Sequence, residues 1–383
     1  MKDIWLIYSS KKGGHKYPAS ALAQYLGRYF PQFQPLVVNL FSFSRTLALF
    51  DSFGRFCDLY FPSLWRAGGK RLTRPNSVFS HLYRKTLKLT IGLSHSKSFL
   101  LRKNRPSLII SFQPELNICA PFFKRWFSCP FYSVVIDLLI HQLWVEKEVD
   151  RYYVPNEKAR EELIRWDIPK EKIILSGLPL REGFKKIEGK ALPELRSKWQ
   201  IPEDKPCLLL MAGLLGKMVN FEEVIKSIGR SEESVSLMVV CGENRKKFLD
   251  YQKLAKTYPQ LALIPFGRVD EIFELMAIAD IIITKPSSGT ISEACALGKK
   301  IILLSPTGGA YQDIRFAQFL EENGAAVWVK DMREVGEMVK KILRDKKLSL
   351  HLTENAKRLG ERNLWANKII SESLLTDYQL GKF

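Results

Sequence analysis

The chain has 383 residues, 46% of them hydrophobic and 26% charged, and its 59 Lys and Arg against 40 Asp and Glu give a formal charge of +19. That length predicts two domains, and the balance of apolar and charged residues excludes a disordered chain. No run approaches eighteen consecutive apolar residues and the opening Ile4–Tyr8 is too short for a signal-peptide core, so the expectation is a cytoplasmic protein without a transmembrane helix.

The first predicted elements are a strand at Ile4–Tyr8, a glycine turn, a helix from Pro18 to about Tyr29 and a strand at Pro35–Leu40. This strand–loop–helix–strand order opens a doubly wound parallel sheet. Between Phe41 and Arg105 stand thirteen Lys and Arg against Asp51 and Asp58 alone, so this stretch carries +11 of the +19. Aromatic and leucine residues, among them Phe61 and Trp65 beside Arg66, interleave with the basic ones. A cationic, aromatic surface of this kind suits the headgroup layer of an anionic membrane, and the protein is expected to attach there peripherally. The plainer reading is a helical insertion with a solvated basic face. No nucleic-acid reading module is visible, so no nucleic-acid partner is expected.

Buried strands follow at Ser107–Phe112, Phe131–Ile136, Arg151–Val154 and Ile173–Ser176, with a helix at Glu157–Trp166. Residues 1–185 then form an N-terminal domain. Pro193, Pro202 and Pro206 thicken a segment assigned as the linker, 186–206. A second alternating unit occupies 207–353. Its strands are predicted at Cys207–Ala212, Ser236–Cys241, Leu261–Pro265, Ile281–Thr284 and Ile301–Leu304. Helices are predicted at Asn220–Gly229, Lys246–Tyr258, Val269–Ala277, Ile291–Leu297 and Asp313–Asn323. A C-terminal helix, with its amphipathic stretch at Glu354–Leu375, lies in 354–383 and can cross back to the N-terminal domain. The six cysteines have no metal or redox spacing and read as buried free thiols.

Three segments carry candidate chemistry. Ser9-Ser10-Lys11-Lys12-Gly13-Gly14-His15 lies between the first strand and its helix. Glycines there let backbone N–H groups approach a ligand, and a histidine at the mouth can serve as a general base; a solvated loop is the plain alternative. Asp137, His141 and Trp144 follow the strand that ends at Ile136 and face the same crevice, although a capping aspartate and a packed tryptophan would explain them too. The richest segment is Thr284-Lys285-Pro286-Ser287-Ser288-Gly289-Thr290-Ile291-Ser292-Glu293. Small hydroxyl residues and a glycine opening a helix make a phosphate cradle, with Glu293 one turn inside to accept ribose hydroxyls. The same letters also fit a capping box. Gly213 and Gly216 can present a second glycine loop to the same diphosphate.

These blocks, in this order, resemble one family along nearly the whole chain. They are SSKKGGHKYPASALAQYL, VIDLLIHQLWVEKEVDRYYVPNEKAREEL, KIILSGLPLREGF, LLLMAGLLG, VVCGEN and FGRVDEIFELMAIADIIITKPSSGTISEACALGKKIIL. The family is that of the monogalactosyldiacylglycerol synthases and processive diacylglycerol glucosyltransferases, relatives of the peptidoglycan N-acetylglucosaminyltransferase. The resemblance implies the GT-B fold, an α/β architecture of two Rossmann-like doubly wound parallel-sheet domains facing a central cleft. It implies inverting transfer of a hexose from a UDP-sugar to diacylglycerol, with no metal and no cofactor beyond the donor substrate.

By the same resemblance His15 is the catalytic base; Asp137 is a candidate catalytic partner from its own position, and whether it or another group assists His15 is left open. Gly213, Gly216, Gly242, Val269, Pro286, Ser288, Gly289, Thr290 and Glu293 hold UDP, and Gln312 and Asp313 meet the sugar. Gly14, His141, Trp144, Phe61, Trp65 and Arg66 belong to the acceptor and membrane side. Three departures concern the sugar and the first loop: Lys11 and Lys12 in the glycine loop, Ala310-Tyr311 where the family has Pro-Gly, and Phe316 where it has asparagine. Asp313 is also shorter than the family's glutamate. A sister transferase with another donor or lipid acceptor and a UDP-sugar 2-epimerase share the architecture, and the aromatic basic segment argues against the epimerase. The oligomeric state and the identity of the sugar are left open.

Overall fold

Strands buried on both faces of a parallel sheet need unbroken apolar runs, and the chain supplies two sets of them. In the computed structural model, which describes residues 1–9, 13–40, 78–93, 105–187, 191–211, 220–258, 260–305 and 311–383, each set forms one sheet. The first consists of β1 (Lys2–Tyr8), β2 (Phe33–Asn39), β3 (Leu108–Ser111), β4 (Phe131–Val134), β5 (Arg151–Val154) and β6 (Ile173–Leu175). All pairings are parallel and the order is β2-β1-β3-β4-β5-β6. The second consists of β7 (Cys207–Met211), β8 (Val235–Val240), β9 (Leu261–Phe266), β10 (Ile281–Thr284), β11 (Lys300–Leu304) and β12 (Val327–Val329). It is also wholly parallel, in the order β12-β11-β10-β7-β8-β9. Read from β9, this is the doubly wound order of a dinucleotide-binding domain.

Two compact units result, Met1–Glu182 together with Arg362–Phe383, and Gly183–Glu361. In the first, the helices are α1 (Gly13–Tyr29), α2 (Val78–Leu93), the single turn α3 (Pro114–Asn117), α4 (Ala120–Phe127) and α5 (Glu157–Arg165). Helix α1 begins five residues before the proline that marks its expected start, so Gly14 and His15 lie in its first turn rather than in a loop. Proline inside the helix removes one donor to the carbonyl four residues earlier, which is that of Gly14.

The second unit holds α6 (Gly183–Lys186), α7 (Leu192–Lys198), α8 (Phe221–Arg230), α9 (Arg245–Leu254) and α10 (Ile272–Ile278). It continues with α11 (Ser288–Ala296), α12 (Tyr311–Glu322), α13 (Val335–Arg344) and α14 (Lys346–Gly360). Asn220, Asn244 and Asp345 each accept a first-turn N–H and so start α8, α9 and α14.

The expected linker at 186–206 needs correction. Pro193 occupies the first turn of α7, where proline is tolerated because no donor is lost there. Trp199 Nε1 then donates to the buried Glu274 at 2.8 Å, and Arg196 donates to the carbonyls of Pro202 (2.8 Å) and Lys205 (3.0 Å), which ties the segment into the second unit. The boundary at 353 also moves, because it falls inside α14. Gly360 ends that helix where a Cβ would lie 2.2 Å from the carbonyl carbon of Cys295, so only glycine lets α14 pack so close to α11.

A 3-10 turn, Glu361–Trp365, breaks the predicted single terminal helix, and α15 (Ala366–Gln379) returns to the first unit. There Asp377, 1% exposed, accepts from Tyr132 (2.8 Å) and faces Arg151 (3.2 Å) and Lys382 (2.8 Å). Ser373 adds contacts to Tyr153 (3.0 Å) and Arg151 (3.1 Å). Among the described residues, the cysteines are buried and free.

Candidate active site

In an open parallel sheet the chain leaves the middle strands in opposite directions at one point, and the carboxyl ends of those strands open a crevice. In the first sheet that point lies between β1 and β3. Ser9, just past β1, donates its N–H to Gln113 Oε1 at 2.8 Å, which joins the two strand ends. His15, in the first turn of α1, sits 2.8 Å through Nδ1 from the carbonyl of Phe112. A carbonyl only accepts, so Nδ1 carries the proton and Nε2 of the neutral ring keeps its lone pair for a substrate proton. A Cβ built on Gly14 meets nothing within 4 Å, so open space adjoins the first turn beside His15.

Asp137 lies three residues beyond β4. Its Oδ2 accepts from Trp144 Nε1 at 2.8 Å and is 3.3 Å from His141 Nε2. Burial works to raise its pKa, but the hydrogen bond and charge of His141, the indole donor of Trp144 and the charge of His15 outweigh that, and the carboxyl is held below its ordinary value. The sequence left open which histidine Asp137 would orient. The structure places it on His141, and a main-chain carbonyl orients His15.

The loop that carries these residues is fixed from several sides. Asn156 Nδ2 donates to the carbonyl of Leu138 (2.9 Å), Glu162 accepts from Ile140 N, and the carbonyl of Trp144 accepts from Asn117 (3.0 Å) and Tyr152 (3.1 Å). Phe112, Gln113 and Asn117 were missed by sequence reasoning. Phe112 and Gln113 stand directly after β3, at the reversal of strand order, and Asn117 ends the helical turn that follows; that position was the available signal.

In the second sheet the reversal lies between β7 and β10, whose last residues Met211 and Thr284 pair. Gly213 and Gly216, expected after β7, lie outside the described residues, as do Phe61, Trp65 and Arg66. From β10 the chain passes through the buried Pro286 into α11. Ser287, its N-cap, makes no side-chain capping hydrogen bond, so the capping-box alternative is not realised. Ser288, Gly289 and Thr290 form the first turn and are partly exposed. A Cβ on Gly289 would meet nothing within 4 Å, which leaves room for a ligand against the N–H end of the helix. Glu293 is partly exposed one turn further in.

Gln312 and Asp313 open α12, after the neighbouring strand β11. Both side-chain amide atoms of Gln312 are buried with no hydrogen-bond partner among the described residues. On the other side of β7, Gly242 takes a left-handed φ of 60° after β8 and approaches Gly267 after β9. Val269 follows in irregular backbone between β9 and α10, which starts at Ile272 and not at the expected position 269. All these residues therefore share the carboxyl edge of one sheet. Among the described residues no group of three or more His, Cys, Asp or Glu is placed to hold a metal ion.

A family profile described as Monogalactosyldiacylglycerol (MGDG) synthase matches residues 77–180, and one described as Glycosyl transferases group 1 matches residues 193–359. The processive diacylglycerol beta-glucosyltransferase of Bacillus licheniformis is 32% identical over 280 residues, which span 73% of this chain and 70% of the relative. A Bacillus cereus protein of the same name is 33% identical over 261 residues, 68% of this chain and 66% of its own. Among solved structures, Acinetobacter baumannii MurG superposes with a TM-score of 0.62 at 13% identity over 98% of this chain and 100% of its own. The S. aureus MnaA-UDP co-structure gives 0.61 at 16%, covering 100% of this chain and 98% of its own. These two establish the fold, and the relatives establish the lineage. The chain belongs to the glycosyltransferase family of the monogalactosyldiacylglycerol synthases and processive diacylglycerol beta-glucosyltransferases, on the GT-B fold.

Proposed function

We propose that this chain transfers a hexose from a UDP-sugar to diacylglycerol with inversion, making glycolipid at a membrane surface. The observation that carries the reading is His15, held through Nδ1 by the Phe112 carbonyl at the strand reversal of the first sheet, with Nε2 left to take a proton. In this reading the donor's diphosphate lies against the first turn of α11, over Gly289. Glu293 accepts the ribose hydroxyls, the backbone at Val269 and Gly242 borders the uracil side, and Gln312 and Asp313 meet the sugar. The acceptor hydroxyl gives its proton to His15 Nε2 as its oxygen bonds the anomeric carbon and the bond to UDP breaks. Negative charge gathers on the leaving diphosphate, where backbone N–H groups and the helix dipole stabilise it without need of a metal. The lowered pKa of Asp137 keeps a carboxylate near His15 to stabilise the imidazolium that forms.

A lipid acceptor calls for a surface that reaches it. No helix among the described residues is long and apolar enough to cross a membrane. The outer face of α2 instead exposes Val78 (80%), Leu82 (62%) and Leu89 (53%), with His81 and Lys85 between them. The spacing of four and seven residues puts these on one stripe, the pattern of a helix lying in the interface plane. The test offers UDP-glucose and UDP-galactose separately to the full chain with anionic vesicles that contain diacylglycerol. Glycosylated diacylglycerol from one donor, lost in Glu293→Ala, supports the reading. Release of UDP without lipid product would move the acceptor elsewhere, and a 2-epimer of the donor sugar would replace the reading with isomerase chemistry.

A further inference from the structure

From helix α2, Arg84 reaches the loop between β4 and β5. Arg84 Nη1 donates to the carbonyls of Gln142 (3.2 Å) and Val145 (2.9 Å), and its Nη2 to Glu146 Oε2 (2.8 Å). Lys88 Nζ lies 3.3 Å from the same carboxylate oxygen. The Arg84 side chain is 19% exposed and that of Glu146 10%, so the pair is shielded from water and salt. The two carbonyls bracket Trp144, whose indole N–H holds Asp137. A three-residue 3-10 turn, Gln142–Trp144, is the regular structure in residues 135–150, and Asn117 and Tyr152 hold the Trp144 carbonyl from the sheet side while Arg84 holds its neighbours from α2. The guanidinium fork spans that turn in a way that a lysine, a single point charge, does not reproduce.

We propose that Arg84 is a positioning residue for glycosyl transfer. By clamping residues 142–146 to α2 it sets Trp144, and through it the place of Asp137 on the acceptor side. The inference rests on the reading that a lipid hydroxyl is glycosylated beside His15. It adds that the helix whose outer face is to meet the lipid is fastened, through Arg84 on its inner side, to the loop that serves the acceptor. Misplacing a catalytic group by about an ångström costs on the order of 100-fold in rate.

The test compares full-length wild type with Arg84→Lys and Glu146→Gln. The readouts are turnover of diacylglycerol in vesicles at saturating donor, divided by the number of UDP-binding sites counted by calorimetry, and the UDP Kd itself. Counting sites removes any loss of folded protein from the comparison. Arg84→Lys is expected to lower turnover per UDP site by about 10- to 100-fold while the UDP Kd stays within twofold. Glu146→Gln is expected to lower it less, because both carbonyl bonds survive. Wild-type turnover per site in Arg84→Lys overturns the inference alone. Failure of the wild type to make any lipid product overturns the acceptor reading beneath it.

Discussion

Replacing Gly289 by alanine should move stability and binding in opposite directions. The residue lies in the first turn of α11 without a left-handed φ, and a Cβ there meets no atom within 4 Å. Neither backbone strain nor packing therefore requires glycine. Gly-to-Ala at such a site stabilises by about 0.4–1 kcal/mol through the unfolded chain. For a unit the size of Gly183–Glu361 that corresponds to a rise of roughly 1–4 °C in Tm.

The added methyl would occupy the space assigned to the diphosphate and push it off the helix N-terminus. One lost charge-assisted hydrogen bond is worth about 1.5–3 kcal/mol, so UDP affinity should fall roughly 10- to 150-fold. Calorimetric titration with UDP and a thermal melt of the same Gly289→Ala preparation measure both. Unchanged UDP affinity, or a protein less stable than wild type, would refute the assignment of that space to the donor.

Three further outcomes follow from other sites. Gln312→Ala removes a buried amide that has no partner among the described residues; KM for the UDP-hexose should rise about tenfold, while inhibition by UDP alone shifts less than twofold. Asp137 is depressed in the folded protein, against burial, by His141 and Trp144. The unfolded chain therefore binds its proton first as pH falls, and the stability this carboxylate contributes is present above its ordinary value of 3.8 and lost as pH drops below it. Urea unfolding of wild type and Asp137→Asn should show a difference that shrinks below about pH 4. Asp377→Ala would leave Arg151 and Lys382 beside an empty place in the first unit, and removing one partner of a buried pair costs about 3–5 kcal/mol; the urea midpoint should fall accordingly.

Both sheets were legible because parallel strands covered on two faces read as plain apolar runs, such as Cys207–Met211 and Ile281–Thr284. Helix starts were less so. Pro18 looked like a first-turn proline but stands six residues into α1, and α11 begins at Ser288 rather than Ile291. The short strand β12 and helix α13 passed unnoticed. The terminal helix was read as one, although Gly360 marked its break; that glycine serves a close approach to Cys295, which no local pattern reveals.

At the site, histidine, glycine and carboxylate positions were visible as side chains. The group that orients His15 was not, because it is a main-chain carbonyl contributed by a residue 97 positions away. Arg84 was hidden in a long run of basic residues whose charge, not whose hydrogen bonds, drew notice.

The proposed transfer depends on His15 as the base, and the most direct measurement is single-turnover glycosylation of diacylglycerol by His15→Gln at saturating UDP-sugar, with UDP affinity measured on the same protein. Loss of a general base predicts a fall in the transfer rate of about 100- to 10,000-fold with UDP affinity within twofold of wild type. Transfer at the wild-type rate by that variant would contradict the account.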